Sequence, residues 1–247
     1  MKAAGGGGSG SGRGARGSRG AHAVPKGRTG RGVARGGPAA RGGATALNGP
    51  TAHGGAGARG GVRLTGGAFR GRVLAVPPGA RPTEGRVREA LFSIWQDRLD
   101  GCRFLDLFAG SGAVGLEAAG RGALRVVCVD QDPQAVRAIA ANAAKLGESL
   151  LETWRLALPA GLEQLEGGGP FDLLFADPPY RFDAFEPLLL ALPPLLAAGA
   201  EIAIEHSSRR DLPLTAGSLV RTDLRRYGES ALAFYRGQSP DLWGLGG

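Results

Sequence analysis

Asp177-Pro178-Pro179-Tyr180 is the segment most able to do chemistry. It follows the apolar run Phe171-Asp172-Leu173-Leu174-Phe175-Ala176, so it should stand where a buried strand ends. Two consecutive prolines hold φ near one value and donate no backbone hydrogen bond. The residue before a proline is kept out of the helical region. The result is a stiff turn that displays a carboxylate, bare carbonyls and an aromatic ring beyond the sheet. Such a group suits a planar substrate that carries an amino group. Asp177 and the Pro178 carbonyl can accept hydrogen bonds from an exocyclic NH2, and the Tyr180 ring can stack on the base.

A second group lies upstream. Asp106-Leu107-Phe108-Ala109-Gly110-Ser111-Gly112-Ala113-Val114-Gly115 contains G-x-G-x-x-G at Gly110, Gly112 and Gly115. Glycines here let backbone N–H groups approach a ligand at the switch point of an open sheet. The pattern alone also marks dinucleotide-binding proteins. Asp106, just before the loop, would repel a pyrophosphate but could hold an ammonium group. Asp130 follows Asp106 by 24 residues, at the end of the next predicted strand. A carboxylate there can accept from both ribose hydroxyls. Asp132 is its rival, and helix capping is the structural alternative for Asp130.

The elements that must hold these groups alternate. Strands are expected over 103–107, 125–129, about 153–157, 171–176 and 201–205. Helices are expected from Ser111 or Gly112, from Pro133 to about Lys145, and over about 184–192. Two late strands, about 219–225 and 231–235, are spaced for an antiparallel hairpin. This alternation implies an α/β fold with a mostly parallel sheet and helices on both faces. Before it, Thr83 can cap a helix to about Leu99. Its apolar stripe is Val87, Ala90, Leu91, Ile94 and Leu99, with Arg86 and Arg88 projecting elsewhere. Residues 62–64 and 72–76 read as a small β appendage carrying Arg63, Arg70, Arg72 and Arg81.

Charge divides the chain. The formal charge is +8, yet residues 1–83 hold 14 of the 30 Lys and Arg and not one Asp or Glu. The remainder is net −6. Residues 1–60 hold 21 of the 45 glycines and almost no large apolar side chains, so disorder is expected there. Its Arg-Gly steps could attract RNA without sequence preference; a poorly constrained extension is the plainer reading. The expected divisions are 1–60 arm, 61–82 β appendage, 83–237 main domain and 238–247 tail. Cys102 and Cys128 lack a CxxC partner and read as buried apolar groups in a reducing compartment. There is no metal-ligand cluster and no membrane span.

Together these residues resemble the S-adenosylmethionine-dependent methyltransferases of exocyclic amino groups. They are most similar to the bacterial small-subunit ribosomal RNA guanine-N2 methyltransferases, the RsmD type. The resemblance covers about 61–237. It rests on Gly67-Ala68-Phe69-Arg70-Gly71-Arg72, on Arg81-Pro82-Thr83 with Arg86-Val87-Arg88-Glu89-Ala90-Leu91-Phe92, on Asp106 to Gly112, and on Phe171 to Tyr180. The block from Arg81 to Phe92 is the most family-specific. Glu84-Gly85 departs from it, and Trp154-Arg155-Leu156-Ala157-Leu158 offers no carboxylate for an adenine.

The resemblance implies a Rossmann-like class I fold whose seven-stranded sheet has a reversed last strand. It implies methyl transfer to N2 of one guanine of 16S ribosomal RNA, position 966 in the type. Asp177, Pro178 and Tyr180 would be catalytic. Asp106, Phe108, Gly110, Ser111, Gly112 and Asp130 would bind the cofactor. Arg70, Arg72, Arg81, Arg86 and Arg88 would face RNA. A cytoplasmic monomer acting on an assembling small subunit is expected. The same tetrad could serve a DNA adenine-N6 or cytosine-N4 methyltransferase, and the fold could also be kept by a non-catalytic RNA-binding or assembly factor.

Overall fold

The structure is a computed structural model that describes residues 61–77 and 85–238. The arm, Arg81, the Thr83 cap and the tail beyond 238 lie outside the described residues. Two short strands, β1 (Val62–Arg63) and β2 (Val73–Leu74), pair antiparallel. Then follow α1 (Gly85–Ile94), β3 (Arg103–Leu107), α2 (Ala113–Gly120), β4 (Arg125–Asp130), α3 (Pro133–Leu146) and β5 (Leu151–Arg155). The second half holds β6 (Phe171–Ala176), α4 (Phe185–Ala191), β7 (Leu196–Ser207), β8 (Thr215–Ala216), β9 (Leu219–Tyr227) and β10 (Ser230–Gly237).

One sheet carries β5-β4-β3-β6-β7-β10-β9-β8 in that order. The five strands from β5 to β7 are parallel, and β10 runs antiparallel between β7 and β9. The reversed last strand is therefore present. The sheet has eight strands rather than seven, because the two residues of β8 extend it beyond β9. Continuous apolar runs explain the central strands, which are covered on both faces. Leu105, Leu107, Val127, Leu174, Ile202 and Ile204 face a layer with α4. Phe104, Val126, Phe175 and Ala203 face a layer with α1 and α2. The parallel strands thus end together, and the loops after them share one rim.

Of the stripe expected for this first helix, Val87, Leu91 and Leu99 are buried and Ala90 is half-buried, but the buried face is wider than expected. Val87, Arg88, Leu91, Phe92 and Trp95 are buried, while Ile94 is only half-buried. The α-helix stops at Ile94, and Gln96–Arg98 continues as a 3-10 turn. Trp95 fixes this end, since its indole N–H donates to Glu201 Oε2 at 2.8 Å.

The β1–β2 hairpin is packed onto the main sheet's helices. Val62, Leu64 and Leu74 share a core with Ala113, Leu116 and Ala143. Its turn lies against the far end of α2, where Ala68 N–H donates to the Gly120 carbonyl at 2.6 Å. No described helix is long and apolar enough to cross a membrane.

Candidate active site

β3 ends at Leu107 and the chain turns sharply. Phe108 has φ 59°, a left-handed conformation that costs a non-glycine residue energy. Gly110 (φ 56°) and Gly112 (φ 76°) continue the turn into α2. The third glycine serves packing. A Cβ on Gly115 would lie 2.4 Å from Cys128 Sγ, so only glycine lets α2 sit this close to β4. Gly110 is the opposite case, with nothing within 4 Å of its Cβ position, which leaves open space over the loop.

Two carboxylates brace that loop. Asp106 is 2% exposed, and its Oδ2 accepts the Gly115 N–H at 2.9 Å. Burial pushes its carboxyl up, the Gly115 N–H opposes this, and the nearby Asp177 and Asp130 carboxylates push it further, to about 8. Asp130 accepts the Gly110 N–H on Oδ2 and the Asp132 N–H on Oδ1, both at 2.9 Å. Asp132 itself caps α3 by accepting from Gln134 N–H. Asp132 is thus the helix cap, and Asp130, for which capping was the alternative, braces the loop instead.

β6 delivers the third carboxylate. Leu107 is in register with Ala176, and the Asp177 N–H donates to the Leu107 carbonyl at 3.3 Å. Asp177 is half-buried, Pro178 is buried, and Tyr180 is 78% exposed. Two rings tie this segment to the glycine loop: Phe182 meets Phe108 edge-on at 5.1 Å, and Phe185 meets Phe182 likewise. Asp106, Asp130 and Asp177 therefore converge at one rim with a stacking ring beside them. An anionic phosphate is disfavoured there, whereas a cation or a set of N–H and O–H donors is favoured.

The family model described as conserved hypothetical protein 95 matches residues 62–236. The chain belongs to this family. It is 36% identical over 151 residues to ribosomal RNA small subunit methyltransferase D of Escherichia coli (strain K12), covering 60% of this chain and 75% of that protein. It is 34% identical over 179 residues to YlbH of Bacillus subtilis, provisionally named an rRNA methyltransferase, covering 69% and 96%. Among solved structures it is similar to the Escherichia coli protein yhhF, provisionally named a methyltransferase, with 31% identity, coverage of 73% and 99%, and a TM-score of 0.62. The family is of the RsmD type, and the fold is that of the class I S-adenosylmethionine-dependent methyltransferases.

S-adenosylmethionine is the cofactor of this RsmD-type protein. The rim fits it: there is open space over Gly110 for a flat ligand, and Asp106, Asp130 and Asp177 gather beside it. Phe108 and Ser111 stand in the same turn, and the Ser111 carbonyl is held by Asn142 Nδ2 at 3.0 Å.

The arginines separate into three groups. Arg86 is exposed and lines a cleft of about 380 Å³ with Tyr227, Gly228 and Glu229. This cleft adjoins the C-terminal end of β7, because Ser230 pairs with Ser207. Arg70 and Arg72 are exposed, but they lie on the hairpin turn beside Gly120, at the end of α2 away from the carboxylates. Arg88 does not face solvent at all. It is 2% exposed, donates from Nε to Glu117 Oε2 at 3.1 Å and from Nη2 to the Arg63 carbonyl at 2.6 Å. The RNA-facing expectation for Arg88 is corrected, since a buried pair to a buried glutamate leaves the guanidinium no access to a phosphate.

Sequence reasoning overlooked Phe182, Asn142 and Glu117. Phe182 follows the tetrad by two residues, and its aromatic type was the available signal. Asn142 and Glu117 sit on helices where a polar residue reads as surface, so nothing in the pattern marked them.

Proposed function

We propose that this protein transfers a methyl group to the exocyclic N2 amino group of a guanine in 16S ribosomal RNA. That it is an S-adenosylmethionine-dependent RNA methyltransferase follows from its family. The observation that carries the finer reading is the placement of a half-buried Asp177 beside Asp106, with Tyr180 exposed next to it. When bound, the cofactor supplies an electrophilic methyl group.

The residues of the chain do the rest. Tyr180 offers a face on which an unstacked base can rest. Asp177 and the Pro178 carbonyl accept hydrogen bonds from the amino group, which favours the pyramidal form with a free lone pair. Positive charge grows on the nitrogen as it takes the methyl group, the fixed Asp177 carboxylate stabilises that charge in a partly dry site, and the nitrogen then releases one N–H proton to solvent. The stiff Asp-Pro-Pro turn holds this geometry in advance, which supplies much of the remaining acceleration. Asp106 and Asp130 keep the glycine loop in its open shape. Asp130 has lone pairs left for two ribose hydroxyls, since each oxygen accepts only one backbone N–H.

The protein is taken to act as a monomer. The substrate is taken to be the small subunit during assembly in the cytoplasm, with Arg86 at the rim and Arg70 and Arg72 on a separate face.

Asp177→Ala tests the site. Methyl transfer should fall by about a hundredfold or more, while cofactor affinity by calorimetry stays within about twofold. A variant that still methylates at the normal rate overturns the site. Mass mapping of methylated guanines in cells lacking the protein tests the base: one N2-methylguanine should disappear.

A further inference from the structure

β3, β4 and β6 each bring an acid to the rim at or next to their last residue, and β7 carries a fourth, Glu205, two residues before its end. Glu205 is the tenth residue of β7 and is only 6% exposed. Side chains alternate faces along a strand. Ile202 and Ile204 point into the α4 layer, while Ala203 points into the layer of α1 and α2. Glu205 therefore shares the second face, and its partner across β10 is Leu232, which belongs to that same layer. Asp177 lies on this face too: Phe175 points there and Ala176 away, and Asp177 acts on Asp106, which reaches α2 on that side.

Register brings the two acids side by side. Ala176 is opposite Ile204, so the next positions outward are Asp177 and Glu205. Neighbouring strands lie about 4.8 Å apart. The two acids therefore follow adjacent register positions on neighbouring strands at the substrate end of the rim. Asp177 is the more exposed, and Glu205 lies deeper.

The structure assigns Glu205 to the recognition of guanine: its carboxylate accepts the N1–H of the base whose N2 amino group Asp177 holds. This rests on the guanine-N2 reading given above. Guanine presents N1–H and N2–H2 as neighbouring donors, and two adjacent carboxylates, which in their ionised form only accept, match them. Adenine and cytosine present their amino group beside a ring nitrogen lone pair. That lone pair would face a carboxylate with no proton between them. A site built to receive a hydrogen-bond donor rejects a base lacking it, because its own polar group is then unpaired. Glu205 thus determines specificity by attraction to one base and repulsion of the others.

The test uses small-subunit RNA with either guanine or 2,6-diaminopurine at the target position. Diaminopurine keeps the N2 amino group but replaces N1–H with a lone pair. The full chain should prefer guanine by about a hundredfold in kcat/KM. Glu205→Gln presents an amide N–H, which can donate to that lone pair. It should lose at least about tenfold on guanine and narrow the preference by at least about tenfold, with cofactor affinity and Tm unchanged. Glu205→Ala should lose activity on guanine without gaining on diaminopurine. If Glu205→Gln keeps the normal preference, whether or not its rate falls, the inference is overturned. Failure of the underlying reading looks different: the unaltered protein would leave no methyl group on N2 of guanine.

Discussion

Asp106 and Glu117 are two buried carboxylates on opposite sides of one helix, and they have opposite fates. Glu117 is fully buried within α2. Burial pushes its carboxyl up, yet the Thr65 N–H, Arg121, the Thr65 hydroxyl and Arg88 together hold it below the usual range. Asp106 is buried as deeply but meets one N–H, a thiol and two other acids. It is pushed up to about 8. Burial alone does not decide the charge of an acid; its partners do. Where the fold supplies its own cations, the acid is structural. Where it supplies none, the acid keeps its proton to a higher pH, and a cationic ligand beside it would favour the ionised form.

The largest test attacks the satisfied side. Arg88→Ala removes the deepest cation from Glu117 and should cost about 3–5 kcal/mol, a fall in Tm on the order of 10 °C. An unchanged Tm with weakened RNA binding would return Arg88 to an RNA-facing role and break the comparison.

The next test attacks the unsatisfied side. Asp106 has its pKa raised from 3.8 to about 8. The fold therefore holds its proton more tightly than the unfolded chain does. Its contribution to stability is complete below pH about 4 and drains away as pH rises towards 8. Asp106→Asn should remove this slope. At pH 8 the variant without cofactor should melt several degrees above the unaltered protein, and the gap should close below pH 4. Its affinity for the cationic cofactor should fall by about tenfold or more. A gap independent of pH would show that Asp106 is already ionised in the fold.

The smallest effect concerns cations that serve no buried acid. Arg70→Ala or Arg72→Ala should leave Tm unchanged and weaken RNA binding modestly. Each should lower the salt dependence of binding by about one unit of slope. No change in slope would place the hairpin turn outside the RNA footprint.

The site's acids were readable because each stands where a strand runs out. β6 is found over the expected residues, and Asp106, Asp130 and Asp177 follow from three such ends. β7 was expected over 201–205 only, yet it spans Leu196–Ser207. Pro193-Pro194 and Gly199 look like breakers, but the sheet carries the chain through Gly199. β8 has two residues, too few for any period. The inside polar residues were the harder part. Arg88 sits one position from Val87 and reads as a solvent charge, because a buried pair is specified by Glu117, 29 positions away. Periodicity describes one element at a time and cannot see a partner on another.

Asn142 carries a consequence of this kind. Its side chain accepts the Ala75 N–H, donates to the Ala75 carbonyl and donates to the Ser111 carbonyl, at 2.9, 2.9 and 3.0 Å. One amide thus fastens the end of the hairpin, the middle of α3 and the glycine turn. The hairpin is consequently no cassette to be trimmed or exchanged at will. A shortened chain starting at α1 would leave the asparagine clasping the turn with two of its three hydrogen bonds gone, so any minimal catalytic version of this enzyme has to begin upstream of Val62.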